Sequence, residues 1–361
     1  MAWLNYPELL SEAWAAHQAP RDPDAPTVVS TFAGCGGSSL GYSMAGYREL
    51  LAVEWDANAC EHLRANFPGL DVWQGDIAQL SAEEVLERTG LVPGELDVFD
   101  GSPPCQGFSL AGKRQLEDPR NGLFREYVRL LTALRPRAFV MENVSGMVKG
   151  KMKLLFAEIL TELKACGYLV SARLLNATYF GVPQARQRLI FIGVREDLGV
   201  EPSHPRAETR PVTVREAFMA LEPRVFAPPA RGQLFVFPFI RPGQSAIDTV
   251  PREVLAHFVP RMARRKPGGF GFHTVCKRLA PGRPAPTLPK TYIAYSHTPI
   301  HPTEHRHLAA EELARLASFP DEYSFSGSYV DRHARIGNCV PPLFMRAVAT
   351  HVRREILEAA A

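Results

Sequence analysis

Nowhere in the 361 residues do 18 apolar side chains follow one another, and the N-terminus has no basic stretch leading into an apolar one with a small-residue cleavage site. Neither a membrane span nor a secretory leader is expected, and the chain reads as cytoplasmic. The six cysteines (Cys35, Cys60, Cys105, Cys166, Cys276 and Cys339) include no C-x-x-C pair, which argues against a metal site and against a disulfide framework. Neither sign of charge dominates. Forty-one Lys and Arg against 38 Asp and Glu leave a net charge of +3, which permits a nucleic-acid partner without demanding one. There is no internal repeat and no low-complexity tract. With 46% hydrophobic and 22% charged residues, the composition is that of a folded globular chain rather than a disordered one.

What is present is an alternation. After a helical "YPELLSEAWAAH" and a Pro/Asp linker, "TVVSTF", "ELLAVEW", "LDVWQGD", "ELDVFDGSPP" and "RAFVMENV" read as strands separated by helical segments. Strands alternating with helices predict an α/β fold, a parallel sheet with helices on both faces. "QARQRLIFIGVRED" reads as an antiparallel strand ending that sheet. From about 202 to 302 proline and glycine are dense and helical periodicity fades, as in a smaller loop-rich domain. Helix returns at "AAEELARLASF" and in the final amphipathic segment. The expected division is an extension over 1–26, a first domain over 27–195, a second over 196–300, and a segment over 301–361 that returns to the first.

Chemistry-bearing residues collect at the carboxyl ends of the strands. "STFAGCGGSSLGY" puts Gly34, Gly36 and Gly37 between the first strand and the first helix, where glycine allows close approach to a ligand. Glu54 ends the second strand, where an acid binds ribose hydroxyls, and Asp76 ends the third. Alone, each acid reads as a surface or capping residue; three successive strand ends favour a nucleoside. The turn is no clean G-x-G-x-x-G, so a dinucleotide is disfavoured. Cys105 follows the fourth strand on a turn stiffened by two prolines, and Glu142 ends the fifth. A thiol displayed in this way differs from the usual packed cysteine.

These stretches together resemble the DNA (cytosine-5) methyltransferase family. "FAGCGG", "EW", "GDI", "GSPPCQGFS", "DPRNGLF", "MENV", "QARQR", "RHLAAEELARLASFP" and "GNCVPP" stand in the family's order and span residues 30 to 342. The resemblance implies a Rossmann-like sheet that binds S-adenosylmethionine, left as S-adenosylhomocysteine, plus a target-recognition domain. Cytosine carbon 5 is a poor nucleophile, and a thiolate on carbon 6 makes the ring enamine-like. By resemblance Cys105 is that nucleophile, Glu142 serves ring nitrogen 3, Arg188 holds O2, and Arg186 supports the site or a phosphate. Phe32, Ala33, Gly34, Gly36, Gly37, Glu54, Trp55, Asp76, Ile77, Pro104, Leu123, Asn338 and Val340 are the implied donor-binding residues. The target base has to leave the duplex stack. Gln106, Ser109 and Thr287 are the implied DNA contacts; the densest basic run, with Arg261, Arg264, Arg265 and Lys266, reads equally as a phosphate-contacting segment of the recognition domain and as a solvated loop. Ser30 departs from the Asp that many members carry, and Ala309, Glu311 and Ala317 depart from the usual Thr, Arg and Gln. The same chemistry on tRNA and a catalytically silent DNA-binding protein are the alternative readings. The implied partners are duplex DNA and a restriction endonuclease on a separate chain, and the chain is expected to be a monomer.

Overall fold

Strand β1 (Thr27–Thr31) is buried along its whole length, as expected of a central strand covered on both faces. In the computed structural model, which describes residues 5–104, 119–148, 152–229, 232–258, 276–294 and 298–360, it lies in the middle of a seven-stranded sheet. The other strands are β2 (Arg48–Glu54), β3 (Asp71–Gln74), β4 (Val98–Gly101), β5 (Ala138–Val144), β6 (Tyr168–Asn176) and β8 (Gln187–Arg195). A two-residue strand β7 (Gln184–Ala185) pairs instead with β9 (Ala285–Pro286). The sheet order is β3-β2-β1-β4-β5-β8-β6. Strands β3 to β5 pair in parallel, whereas β8 is antiparallel to both of its neighbours. The order reverses at β1 and β4, and ligands bind at the carboxyl ends of strands at such a switch point.

The expected α/β fold is thus present, with one correction. Residues 187–195 do not end the sheet; they fill the place between β5 and β6. The edge strand β6, "YLVSARLLN", is mostly half-exposed, so it has too few buried apolar residues to stand out in the sequence. The helices that the sequence reading missed include two with a serine cap. Ser81 accepts from the Glu84 amide at the start of α4 (Ala82–Thr89), and Ser328 and Asp331 form a capping box on α9 (Tyr329–Asn338).

Helices α1 (Tyr6–Gln18), α2 (Gly37–Met44), α3 (Ala57–Asn66), α5 (Pro119–Leu134), α6 (Met152–Ala165), α7 (Arg252–Phe258), α8 (Ala310–Leu316) and α10 (Pro342–Val352) complete the elements used below. The C-terminal α10 lies along α2, so the end of the chain closes on the first strand-to-helix turn. Helix α1 is joined to α8 through the Tyr6 hydroxyl, which donates to the Arg315 carbonyl at 3.1 Å. Val212, Val214 and Ala217 belong to the main core, while Val236, Phe237, Ile240, Ala246, Val250, Leu255, Cys276 and Ile300 form a small core of their own. Arg278, 3% exposed, ties this loop-rich part together by donating to the carbonyls of Ile240, His301, Glu304 and Phe237 at 2.5–2.8 Å. One buried guanidinium thereby satisfies backbone that no ladder reaches.

Candidate active site

Three of the five residues from Phe32 to Gly36 have left-handed backbone: Phe32 (φ 54°), Gly34 (φ 56°) and Gly36 (φ 82°). For a phenylalanine this costs about 1–2 kcal/mol, so the turn has to be held from outside. Glu54 does so at the end of β2. Its Oε2 accepts the Gly34 amide at 2.7 Å, and its Oε1 accepts the amides of Trp55 and Asp56 at 2.9 Å. Ala33 donates to the Val53 carbonyl at 3.2 Å. The Trp55 indole next to the acid is 78% exposed. At the end of β3, Asp76 caps the turn over Ile77–Gln79 by accepting the Ala78 amide at 3.1 Å, and Ile77 is buried. Leu123 on α5 is half-buried against the same core.

The C-terminal segment closes this side. A Cβ on Gly37 would sit 2.1 Å from the Val340 carbonyl oxygen, so only glycine lets "GNCVPP" approach. Val340 is buried, and Asn338, at the end of α9, is exposed.

On the other side of the switch point, Val144 pairs with Arg188 across β5 and β8, and Glu142 lies two residues before Val144 on the same face. The two side chains therefore meet, with Arg188 Nε 2.5 Å from Glu142 Oε1 and both largely shielded from solvent. Arg186 is 3% exposed and donates to the Gly337 carbonyl at 3.1 Å. Burial first, and then the like charge of Arg188, lowers its pKa to about 10. Of the two tasks expected of Arg186, such burial suits support of the site rather than contact with a phosphate. Asn143, which the sequence reading passed over inside "ENV", donates from Nδ2 to the Pro103 carbonyl at 3.1 Å. It ties the tip of β5 to the proline turn. Pro104 is exposed, and Cys105, Gln106 and Ser109 lie outside the described residues, as do Arg261, Arg264, Arg265 and Lys266. Thr287 is exposed, and its hydroxyl donates to the Ala185 carbonyl at 3.0 Å, beside the segment that carries Arg186 and Arg188.

The arrangement places a loop held by a carboxylate after β1 and a carboxylate–guanidinium pair on β5 and β8, with β4 and the proline turn that leads into Cys105 between them. The sequence profile of a family described as C-5 cytosine-specific DNA methylase matches residues 27–224 and 245–354. The chain belongs to that family. It is a DNA cytosine-5 methyltransferase and depends on S-adenosylmethionine. The methyltransferase is 36% identical over 348 residues to the type II methyltransferase M1.HphI of Haemophilus parahaemolyticus, covering 90% of this chain and 86% of the relative. It is 32% identical over 374 residues to the type II methyltransferase M.DdeI of Desulfomicrobium norvegicum, covering 90% and 88%. Among solved structures, a putative DNA modification methyltransferase encoded within an E. coli prophage superposes with a TM-score of 0.70 at 26% identity, over 92% of this chain and 100% of that one. Spodoptera frugiperda DNMT2 superposes at 0.59 with 19% identity, over 93% and 99%, a likeness of fold alone. Neither the tRNA reading nor the silent one gains support over DNA methylation from these relatives.

Proposed function

We propose that the methyltransferase acts on a cytosine swung out of duplex DNA within a short specific sequence, with Cys105 as nucleophile and Glu142 and Arg188 as its partners on the ring. The observation that carries this is the Glu142–Arg188 pair at 2.5 Å, tethered through Asn143 to the turn that precedes Cys105. The Cys105 thiolate forms a bond to carbon 6, and the ring electrons move to carbon 5. Glu142 holds a proton at ring nitrogen 3, and Arg188 donates to O2, so both stabilise the charge that the addition pushes into the ring. Arg186 anchors the segment that carries Arg188 by its bond to the Gly337 carbonyl. Once carbon 5 carries the methyl group, loss of its proton to a base expels the thiolate.

The residues at the first turn fit S-adenosylmethionine. Among the described residues, nothing lies within 4 Å of where a Cβ on Gly34 would be. Glu54 keeps free acceptor capacity for ribose hydroxyls beyond its three amide partners. Trp55 and Ile77 offer apolar surface for an adenine, with Asp76 as its polar neighbour. Phe32, Ala33, Gly36, Gly37, Pro104, Leu123, Asn338 and Val340 complete the proposed pocket. The donor supplies, when bound, an electrophilic methyl group on a sulfonium.

Residues 27–195 form the catalytic domain on this reading, 196–300 recognise the target, and 301–361 return to the donor side. Arg261, Arg264, Arg265, Lys266, Gln106, Ser109 and Thr287 position the DNA. The type II relatives favour a separate restriction endonuclease as the counterpart whose cutting this methylation blocks, with the methyltransferase a cytoplasmic monomer.

Bisulfite sequencing of duplex DNA treated with purified enzyme and S-adenosylmethionine tests the reading. The expected result is protected cytosines confined to one short motif, and loss of protection with Cys105→Ala. Methylation of tRNA in preference to duplex DNA, or activity retained by Cys105→Ala, overturns it.

A further inference from the structure

Glu54 holds the first turn from the sheet side. A second support is Tyr323, which lies 288 residues beyond Cys35 in the chain and is 5% exposed. Its hydroxyl donates to the Cys35 carbonyl. That hydroxyl is 2.7 Å, and the Phe67 ring 2.8 Å, from where a Cβ on Gly36 would stand. The turn thus rests directly on the two rings, and Gly36 is the residue that lets it do so. The tyrosine ring is itself enclosed. Phe319 and Phe325 lie at 4.7 and 5.1 Å between centroids, and Phe67 and Trp14 both at 6.4 Å.

Further polar contacts fix this enclosure. Asn66 and Ser324 exchange two hydrogen bonds, Nδ2 to the Ser324 carbonyl at 2.9 Å and the Ser324 amide to Oδ1 at 2.7 Å. The residue after the tyrosine is therefore locked to the end of α3. His17 of α1 bridges the Ser43 hydroxyl at 2.6 Å and the Asn66 carbonyl at 3.0 Å. Its ring meets Trp14 at 4.8 Å and Phe67 at 5.1 Å. Helix α1 therefore contributes to the wall behind the turn rather than decorating the surface.

We propose that Tyr323 is a positioning residue for the methyl donor, acting through the Cys35–Gly36 turn, and that α1 completes its support through Trp14. The inference rests on the reading of this turn as the donor site. A left-handed phenylalanine, Phe32, at the head of this turn persists only when its surroundings over-determine it. Without the hydroxyl, the Cys35 carbonyl loses its buried partner, and backbone conformations in which it finds another gain population. The donor then binds only the fraction of molecules with the turn in place, so its apparent affinity falls by that fraction.

Titration calorimetry and steady-state kinetics on Tyr323→Phe in the full-length chain test this. The dissociation constant for S-adenosylmethionine is expected to rise about 5- to 30-fold, equivalent to about 1–2 kcal/mol. At saturating donor, kcat stays within about twofold and KM for DNA is unchanged. A lowered melting temperature with parental donor affinity makes Tyr323 an ordinary core residue and overturns the proposal. Should Tyr323→Phe fail to fold, Trp14→Phe loosens the ring contact without removing a hydrogen bond; a smaller rise in the same constant supports the proposal, and an unchanged constant overturns it. If the parent protein binds no S-adenosylmethionine while Cys105 still reacts with a cytosine analogue in DNA, the donor-site reading beneath the inference fails instead.

Discussion

At the residue scale, Glu142 and Arg188 depend on each other. A carboxylate this shielded is costly without its partner. Glu142→Gln keeps the shape and removes the dissociable proton; kcat is expected to fall about 10²- to 10⁴-fold, with donor affinity by calorimetry unchanged. Arg188→Met leaves the carboxylate unpaired. It should lower kcat by about 10²-fold or more and also lower the melting temperature, which Glu142→Gln does less. A variant of either residue with parental kcat in a methyl-incorporation assay contradicts the assignment. Glu142 was legible at the end of a strand pattern, and Arg188 through the family resemblance that "QARQR" carries. Their 2.5 Å contact was not, since it needs β8 beside β5 in one particular register.

At the scale of elements, the donor turn is shaped by parts that are distant in sequence: β2 through Glu54, the segment after α8 through Tyr323, and "GNCVPP" through its approach to Gly37. Gly37→Ala forces a methyl group to within 2.1 Å of the Val340 carbonyl, so the contact has to open. The expected outcome is a loss of about 1–3 kcal/mol in denaturant unfolding together with weaker donor binding; parental stability and affinity would show that the C-terminal segment is not tied to this turn. Arg278 plays the corresponding part in the small core. Arg278→Leu removes the side-chain donor from four carbonyls, of which Phe237 keeps the Ile240 amide; each one left buried and unpaired costs about 1–3 kcal/mol. It is expected to abolish DNA binding in a gel-shift assay while donor binding survives, because none of the proposed donor residues contacts this core. These ties explain why the glycines were visible in the sequence while their partners were not: a chain records which residue is small, not what presses against it.

At the scale of the whole molecule, stability against acid depends on buried neutral histidines, two of which, His307 and His333, pack on the same Tyr292 ring. Burial is the first cause of the low pKa values of His204, His307 and His333, each brought to about 4 from an ordinary 6.5. The unfolded chain takes up these protons below 6.5 and the folded one does not until about 4, so folding is favoured above this window and loses stability as pH falls through it. Two buried acids act in the opposite sense. Burial raises Glu49 to about 7 and Asp100 well above its ordinary value, so their contribution grows as pH falls. His333→Phe isolates one histidine while keeping a ring against Tyr292 and Tyr329. Relative to the parent, the variant is expected to gain about 3 kcal/mol between pH 6.5 and pH 4, read from urea unfolding at a series of pH values. A difference between the two proteins that does not change with pH would contradict this.

The α/β alternation, the strand ends that carry Glu54, Asp76 and Glu142, and the family resemblance that named the other proposed site residues were legible in the sequence alone, because period, turn chemistry and motif spacing are local properties of a chain. Tertiary structure decided the rest. It placed β8 inside the sheet, closed the C-terminal segment on the first turn, and set Tyr323 behind Cys35. Each of these is a contact between residues far apart in sequence, specified only when the whole core packs at once.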